Sequence, residues 1–435
     1  PEDYQGIDVD GAAVLTVRGG PNHTAKVQAA QDNGAAALMV MNDAVGNYSG
    51  GLTAGTGQIP AMTIPGEEGQ QLRDLLAAGP VTVRVAGTAI TPFLYDVVFP
   101  EPGAIPDQLS YTADPDDLAS LVNAYHSGVT GQVQGEVRHS WRPYEISSLG
   151  VVTGLPAPQR RTELVTAGDT RYAQRIDALR PFVGTLLEPV GRYQPGDRIR
   201  QSWFESPLAP GVIEGGTDQA GVPVVRSGDT LELAVPEWVD PSRHWGFRHT
   251  SVDTTAFRLF QDGALVAEAA RPAGDFPLGP EPASYRLEVD VARTADWWPT
   301  STATRTAWTF ESARPPAGQD AVLPMLLVDY QAGLDLTNTN QRRFLPTLDL
   351  TVRHQPGADQ SRIAGAEVSV SYDDGGTWHR AAVLPRGGGE FTAILLPVIP
   401  PAGAEFASLR VEAWDRAGNR IEQEVTRAWA VPDGR

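Results

Sequence analysis

The stretch from Asp8 to Asn42 restricts the fold of this chain more than any other part of the sequence. Gly11 to Val17 is a short, mostly apolar run typical of a buried strand, and an Arg-Gly-Gly-Pro sequence ends it. Thr24 to Asn33 then has the pattern of a helix with a thin apolar stripe. Ala36 to Met41 is too apolar for a strand with one face in water. This order predicts a βαβ unit whose second strand is covered on both faces.

The sequence that follows predicts the rest of a small α/β domain. The segment from Asn42 to Gln58 is rich in Gly, Asn, Ser and Thr, which predicts an exposed loop of the kind that often carries binding residues. Three further elements are expected after it: a strand at 59–64, a helix after Pro65 whose Leu72, Leu75 and Leu76 face the core, and an alternating strand at Val81 to Ala86.

Strand signals dominate from residue 91 onward. The pair Asp262-Gly263 separates two strand-like runs and favours a tight hairpin turn, because that turn needs positive φ at both central positions. One exception is expected. The Asp-Pro-Asp-Asp sequence at 114–117 and the apolar spacing from Leu118 to Tyr125 predict a short N-capped helix.

The predicted fold is mainly β, with a small α/β domain at residues 1–90 followed by antiparallel β-sandwich domains. Residues 91–315 form a β-sandwich region, for which a division into two halves near residue 190 is one alternative. A Pro- and Gly-rich linker at 314–318 marks the start of the last predicted domain, residues 316–435. About seven short strands within roughly 115 residues suit a fibronectin type III or immunoglobulin-like sandwich there.

The net charge of −19 limits the partners that the chain is expected to bind. Nucleic acid and anionic membrane surfaces bind proteins largely through Lys and Arg, so neither is an expected partner. The sequence has no Cys, which excludes disulfides, thiolate metal sites and Cys nucleophiles. It also has no apolar run of the roughly 18 residues that a membrane-spanning helix needs.

The sequence predicts no complete active site. It contains no Gly-x-Ser-x-Gly, no His-Glu-x-x-His and no P-loop, and its seven histidines are scattered. We therefore expect each histidine to be a surface or hydrogen-bonded residue, and we assign no catalytic residue.

Residues 371–378 match the Asp-box pattern S-x-D-x-G-x-T-W, with Ser371, Asp373, Gly375 and Trp378 at motif positions. The motif predicts a structural turn in which Ser and Asp side chains bond to the backbone and the Trp is buried. A single copy favours a turn in a sandwich over a propeller, which would need repeated blades.

Two further groups of residues are candidates for binding. Trp245, Trp297 and Trp298 are candidates for a surface aromatic site that stacks on sugars, and burial in a sandwich core is the alternative. The acidic residues at 114–117 and 373–374 are candidates for a structural calcium site, with helix capping and turn formation as the alternative. No other metal and no cofactor are expected.

The segments VDGAAVLTVRGG, KVQAAQDNGAAALMVMN, IPAMTI and EGQQLRDLL, in this order, resemble a protease-associated domain, a small α/β module of many secreted proteases. The resemblance covers residues 1–90, although the Cys often found after the Arg-Gly pair is absent. It implies that the first strand of the module precedes Pro1. It also implies that the loop after Asn42 borders a substrate cleft. The expected substrate-access residues in this loop are Asn42, Asp43, Asn47 and Tyr48.

Downstream segments, including RPYEISSLG, YQPGDRIRQSWFESP and LRVEAWDRAGNRIEQEVTRAWAV, resemble the C-terminal half of large secreted subtilisin-like serine proteases of actinomycete-type bacteria. The resemblance implies a noncatalytic part of an extracellular peptidase or esterase. Its catalytic Asp, His and Ser would lie in an upstream segment or partner chain of the same precursor. Protein or small ester substrates would be bound through that chain.

Two alternatives remain open at the level of sequence. The first is a stand-alone extracellular adhesion module that binds carbohydrate or protein without an attached enzyme. The second is a hydrolase whose triad is assembled from residues that are distant in sequence, since geometry rather than order defines a triad.

Overall fold

The computed structural model describes residues 4–52, 57–86, 91–142, 144–145, 148, 150, 153–179, 183–213, 223–341, 346–396 and 400–432. The chain divides into two compact units, Pro1–Ala89 and Ile90–Arg435. Within the described residues, no helix combines the length and apolar character that spanning a membrane requires.

The N-terminal unit is built on a three-stranded parallel sheet with the order β1-β2-β3. Its described strands and helices are β1 (Ala13–Val17), α1 (His23–Asp32), β2 (Ala37–Met41), β3 (Ala61–Ile64) and α2 (Gly66–Ala78). Every residue of the central strand β2 is buried. Val27 and Ala30 of α1 pack in one cluster with Leu38 and Val40. The predicted βαβ unit is therefore confirmed.

Two expectations for this unit are wrong. Residues 81–86 form no strand, because alternation alone does not supply a neighbouring strand to pair with. Leu75 and Leu76 of α2 are 56% and 50% exposed instead of facing the core. The helix instead approaches β2 at Gly69, where a Cβ atom would lie only 2.3 Å from the Cβ of Met41.

The C-terminal unit consists of strands apart from one 3-10 helix at Pro115–Asp117 among its described residues. Its first strands are β4 (Phe93–Asp96), β5 (Leu118–Tyr125), β6 (Gln132–Trp141), β7 (Thr153–Ala157), β8 (Gln159–Thr166), β9 (Arg171–Leu179), β10 (Val183–Leu187), β11 (Gly191–Arg192) and β12 (Arg198–Trp203). The next group is β13 (Val225–Ser227), β14 (Thr230–Ala234), β15 (Trp238–Val239), β16 (Trp245–Gly246), β17 (Asp253–Gln261), β18 (Ala264–Ala269), β19 (Ala273–Pro277), β20 (Ala283–Arg293), β21 (Ala303–Ser312) and β22 (Asp320–Val322). The last are β23 (Leu326–Gln331), β24 (Thr347–His354), β25 (Ile363–Ser371), β26 (His379–Arg380), β27 (Ala382–Gly387), β28 (Glu390–Ile394), β29 (Phe406–Asp415) and β30 (Arg420–Ala430).

These strands form five sheets within the described residues. The first two have the orders β12-β5-β8-β4 and β15-β16-β10-β9-β6-β7, with β11 paired to β9 in the second. The other three have the orders β19-β14-β13-β22, β23-β24-β28-β27 and β18-β17-β20-β21-β30-β29-β25-β26. The predicted fold class, mainly β with antiparallel sandwiches after an α/β domain, is confirmed.

The helix predicted from Leu118 to Tyr125 is wrong, because this segment is strand β5 at the centre of its sheet. Only the preceding residues, Pro115–Asp117, form one turn of 3-10 helix. A strand buried on both faces contains apolar residues at many positions, including those with helical spacing. Apolar spacing alone therefore does not separate the two structures here.

Strand pairing passes across both places where a domain division was predicted. β5 pairs with β12, on opposite sides of residue 190, and β21 pairs with β30, on opposite sides of residue 315. One buried apolar cluster extends from Tyr125 to Trp429. The domain boundaries stay a prediction, since a shared sheet does not show which parts fold independently.

Candidate functional site

The carboxyl ends of the parallel strands form one polar edge of the N-terminal unit. Arg18 follows β1, Asn42 and Asp43 follow β2, and helix α2 begins two residues after β3. Strands that run parallel bring these ends together, and open α/β sheets bind ligands at this edge. We call the cluster of Arg18, His23, Asn42, Asp43 and Tyr48 the carboxyl-edge site.

Arg18 is the cation of the carboxyl-edge site. Its Nη1 donates to Asn42 Oδ1 at 3.2 Å and lies 3.8 Å from Asp43 Oδ1. Its guanidinium carbon lies 4.7 Å from the centroid of the Tyr48 ring, which is a cation–π geometry. The Arg18 and Asp43 side chains are 48% and 56% exposed, so both remain accessible to a ligand.

Tyr48 is fixed from three directions. Its hydroxyl lies 2.9 Å from Nε2 of His23, its carbonyl accepts from Thr63 Oγ1 at 3.1 Å, and its N–H donates to Asn47 Oδ1 at 2.8 Å. Partial burial raises the pKa of Tyr48, Arg18 opposes the rise and Asp43 adds to it. The phenol is therefore a neutral hydrogen-bonding group at physiological pH.

Asn42 and Glu67 hold the start of the loop. Asn42 is buried, its Nδ2 donates to Gly46 O at 2.9 Å and its Oδ1 accepts from the N–H of Asp43. The N–H of Gly46 donates to a carboxylate oxygen of Glu67 at 2.9 Å. Backbone hydrogen bonds from Glu67 itself and from Gly46 lower the pKa of this carboxyl. The loop is thus tied to both β2 and α2.

The geometry of this edge suits binding better than chemistry. His23 has a phenol as its partner, and the described residues place no nucleophile beside it with a base oriented by a third group. The half-exposed guanidinium that follows β1 lies beside a carboxylate and an aromatic ring on a loop held by hydrogen bonds. Such a surface can donate hydrogen bonds to a polypeptide, accept them from it and form ion pairs with it, without reorganising.

Three of the four expected access-loop residues come together at this edge. Asn42, Asp43 and Tyr48 share contacts with Arg18, whereas Asn47 is exposed and accepts a hydrogen bond from the backbone of its neighbour Tyr48. The sequence reasoning missed Arg18 and His23. A position directly after a strand of a predicted βαβ unit, such as that of Arg18, was the available signal.

The interpretation of the tryptophans as a surface aromatic site is wrong for Trp245 and Trp298. These side chains are only 6% and 8% exposed, and Trp297 is half-buried beside Trp298. Trp298 packs against Phe204 and against the guanidinium of Arg293, 3.9 Å from its ring. Buried ring faces are not available for stacking on a sugar, so this cluster belongs to the core.

The Asp-box residues form a hydrogen-bonded turn between β25 and β26. Ser371 Oγ donates to Asp373 Oδ1 at 2.7 Å and accepts from the N–H of Gly375 at 2.9 Å. Asp373 Oδ1 also accepts from the N–H of Thr377 at 2.7 Å, and these bonds lower the Asp373 pKa to about 2. Trp378 is half-buried, with Arg410 4.1 Å from its ring.

The described histidines do not assemble a Ser–His–Asp triad. Two of them contact a serine hydroxyl, His139 with Ser148 and His249 with Ser251, and neither has a carboxylate on its other nitrogen. Two others contact a buried carboxylate, and no serine hydroxyl bonds to their other nitrogen. These pairs are His244 with Asp240 and His354 with Asp415.

Among the described residues, no group of three or more His, Asp or Glu side chains has the arrangement of a metal site. Asp114 and Asp117 instead cap the 3-10 helix, and Asp374 pairs with Arg427 at 2.8 Å. The structural calcium site stays a prediction.

Comparisons with known proteins identify one part of the chain. A family model described as a PA domain matches residues 1–72. Among curated proteins, no match is found. Extracellular domains 3-5 of Drosophila OTK align with 73% of this chain and 100% of their own, at 11% identity and a TM-score of 0.14, from which nothing is inferred. Residues 1–72 are a protease-associated (PA) domain, and the carboxyl-edge site lies within it.

Proposed function

We propose that this chain is a noncatalytic part of a secreted subtilisin-like serine hydrolase, in which the PA domain borders the substrate cleft. The observation that carries the proposal is the PA domain at residues 1–72 with its exposed, braced carboxyl-edge site. PA domains occur in secreted proteins, which supports an extracellular location. The enzyme of which it forms part would be a peptidase, or an esterase with the same acyl-enzyme chemistry.

In this proposal the β-sandwich region stabilises the catalytic domain, and its last part is fibronectin type III-like. The partner is a catalytic chain or segment of the same precursor that carries the Asp, His and Ser. Protein or small ester substrates bind through that partner.

The first test asks whether a serine hydrolase accompanies this chain in native material. A fluorophosphonate probe labels an activated serine, and intact-mass and N-terminal analysis then identify the labelled polypeptide. We expect a co-purifying, labelled polypeptide distinct from this chain. Labelling of this chain would establish an unrecognised hydrolase instead, and the absence of any labelled partner would favour the stand-alone adhesion module.

The second test asks whether the carboxyl-edge site restricts or recruits macromolecular substrates. In the complex with the catalytic chain, Arg18→Gln is expected to raise KM for a protein substrate by about tenfold, as loss of a charge-assisted contact does. Turnover of a small ester should not change. Arg73→Gln on the exposed face of α2 is the matched control. Equal effects of Arg18→Gln on both substrates would contradict the assignment.

A further inference from the structure

A groove in the described part of the C-terminal unit lies on its last sandwich, far in sequence from the PA domain. Its volume is about 950 Å³, at the upper end of the roughly 300–1,000 Å³ typical of ligand sites. One wall is the glycine-rich turn at 387–389, where β27 passes into β28. The other is formed by residues 356–357 and 360–364, from the link between β24 and β25 and the first residues of β25. We call it the glycine-turn groove.

The charge of the glycine-turn groove is opposite to that of the chain. Arg243, Arg353 and Arg362 line it, and Glu390 is the one carboxylate among the described lining residues. The whole chain has 34 basic residues against 53 acidic ones. A groove with an excess of arginine on such a protein is therefore a local feature, and not a consequence of composition.

Two of these arginines are hydrogen-bonded to one carboxylate, that of Asp329. Asp329 Oδ2 accepts from Arg243 Nη2 at 3.0 Å and from Arg353 Nε at 2.9 Å, and its Oδ1 accepts from Arg353 Nη2 at 3.3 Å. Asp329 neutralises one of the two positive charges. The N–H groups that do not face Asp329 remain able to bond to an anion, in a fixed orientation.

The surface of the groove is partly apolar. Pro356, Ile363 and Pro385 line it and are at least partly exposed. Val352 and Phe391 are buried behind them, and His354 is fixed by Asp415 at 2.9 Å. Gly389 has a φ of +87°, and a Cβ atom there would lie 2.3 Å from the Val352 carbonyl oxygen. Only glycine lets the turn approach β24 this closely, so the sequence at 389 fixes the shape of the groove.

We propose that the glycine-turn groove binds a short acidic peptide segment. Fixed guanidinium groups match the geometry of Asp and Glu carboxylates, and the exposed apolar surface of Pro356, Ile363 and Pro385 suits the aliphatic parts of a peptide. A long polyanion would extend beyond the groove and be repelled by the rest of the chain, whose net charge is −19. A short segment with a few carboxylates contacts only the local arginines.

The test measures binding of a fluorescein-labelled, glutamate-rich peptide to the whole purified chain by fluorescence anisotropy. The matched peptide has glutamine in place of glutamate. We expect binding of the glutamate peptide alone, weaker at higher salt. Arg362→Gln should weaken it by about tenfold. The control is Arg380→Gln, which removes the same charge from a side chain outside the groove that is 69% exposed and paired with Glu367. This control should not change the affinity for the peptide.

Three results would overturn the proposal. The first is equal binding of the glutamine peptide, and the second is an equal effect of Arg362→Gln and Arg380→Gln. The third is stronger binding of a sulfated oligosaccharide that displaces the peptide, which would identify a glycan as the ligand. Thermal melting of each variant, together with the exposed Arg243→Gln as a second groove variant, separates loss of binding from loss of folding.

Discussion

The guanidinium carbon of Arg18 lies 4.7 Å from the centroid of the Tyr48 ring. Arg18 directly follows β1, and Tyr48 belongs to the loop after β2. The contact therefore exists only because β1 and β2 run parallel and end at the same edge. It joins the loop to the sheet and leaves much of the guanidinium accessible.

Tyr48→Phe tests whether the phenol holds this loop. The change removes the hydrogen bond to His23 and keeps the ring beneath Arg18. A lost hydrogen bond of this kind costs about 1 kcal/mol, so local opening of residues 44–50 should become easier by that amount. Amide hydrogen exchange in the loop would increase while β2 stays protected. Tyr95→Phe, at a 68% exposed phenol, is the control, and unchanged loop exchange in Tyr48→Phe would refute the role.

Glu163 lies at the centre of a buried ionic network in the C-terminal unit. Arg138, Arg161 and the Tyr125 hydroxyl all bond to its carboxylate, which is fully buried. Burial alone would raise its pKa, but Arg138 and Arg161 lower it to about 2. Removing this carboxylate leaves two buried guanidinium groups without their main counter-ion.

Glu163→Ala is therefore expected to destabilise the C-terminal unit by about 3–5 kcal/mol. All ten tryptophans lie in this unit, so urea unfolding followed by tryptophan fluorescence reports on it directly. Glu367→Ala removes a half-exposed carboxylate paired with Arg380 and should cost at most about 1 kcal/mol. Similar losses in the two variants would show that the network contributes little.

Much of the fold was accessible from local sequence patterns. The run from Ala37 to Met41 is buried at every position, as its continuous apolar character indicated. The Asp-box turn depends on residues within one short segment and was likewise predictable from its motif. Strand β5 was not predictable in this way, because its apolar spacing suits a helix as well as a strand buried on both faces.

The sites depend on contacts between distant residues, which a single sequence does not show. Asn42 and Tyr48 were expected in this loop from its composition and from the resemblance to a PA domain, but Arg18 reaches Asn42 only through parallel strand pairing across 24 residues. Trp298 was a candidate for a surface site as well as for the core, because nothing near it in sequence shows that Arg293 and Phe204 cover its ring. The sequence thus indicated the loop of the carboxyl-edge site, and the strand topology added Arg18 to it.

His126 makes the C-terminal unit sensitive to acid. It is 2% exposed, and burial lowers its pKa from 6.5 to about 4, although the Asp335 backbone opposes this shift. A histidine whose pKa is lower in the folded state than in the unfolded state binds a proton more readily when unfolded. Its effect on stability is therefore absent above pH 6.5 and grows as the pH falls towards 4.

Protonation of His126 is expected to lower the free energy of unfolding by roughly 3 kcal/mol as the pH falls from 6.5 to 4. Urea unfolding at a series of pH values should show a steeper decline between pH 6.5 and 4 in the wild type than in His126→Gln. His379→Gln, at a half-buried histidine on β26, should retain the wild-type decline. Parallel curves for the wild type and His126→Gln would exclude His126 as the source.

Arg293 and Asp253 form a buried bidentate ion pair, with contacts of 2.6 Å from Nε and 3.0 Å from Nη2. The guanidinium lies between the rings of Trp238 and Trp298, 4.2 Å and 3.9 Å from their centroids. Lysine keeps the charge but has neither the planar fork nor the flat face that these contacts use.

Arg293→Lys should therefore lower the free energy of unfolding by about 2 kcal/mol or more, since it breaks most of a buried ion pair while leaving Asp253 buried. The matched control is Arg258→Lys, whose 37% exposed side chain pairs with Glu288 and Asp290 on a sheet surface. That change should cost less than about 1 kcal/mol. Urea unfolding measures both losses, and near-ultraviolet circular dichroism should report changed tryptophan packing only in Arg293→Lys. If the two variants lose equal stability, the stacked and bidentate geometry of Arg293 does not matter to the fold.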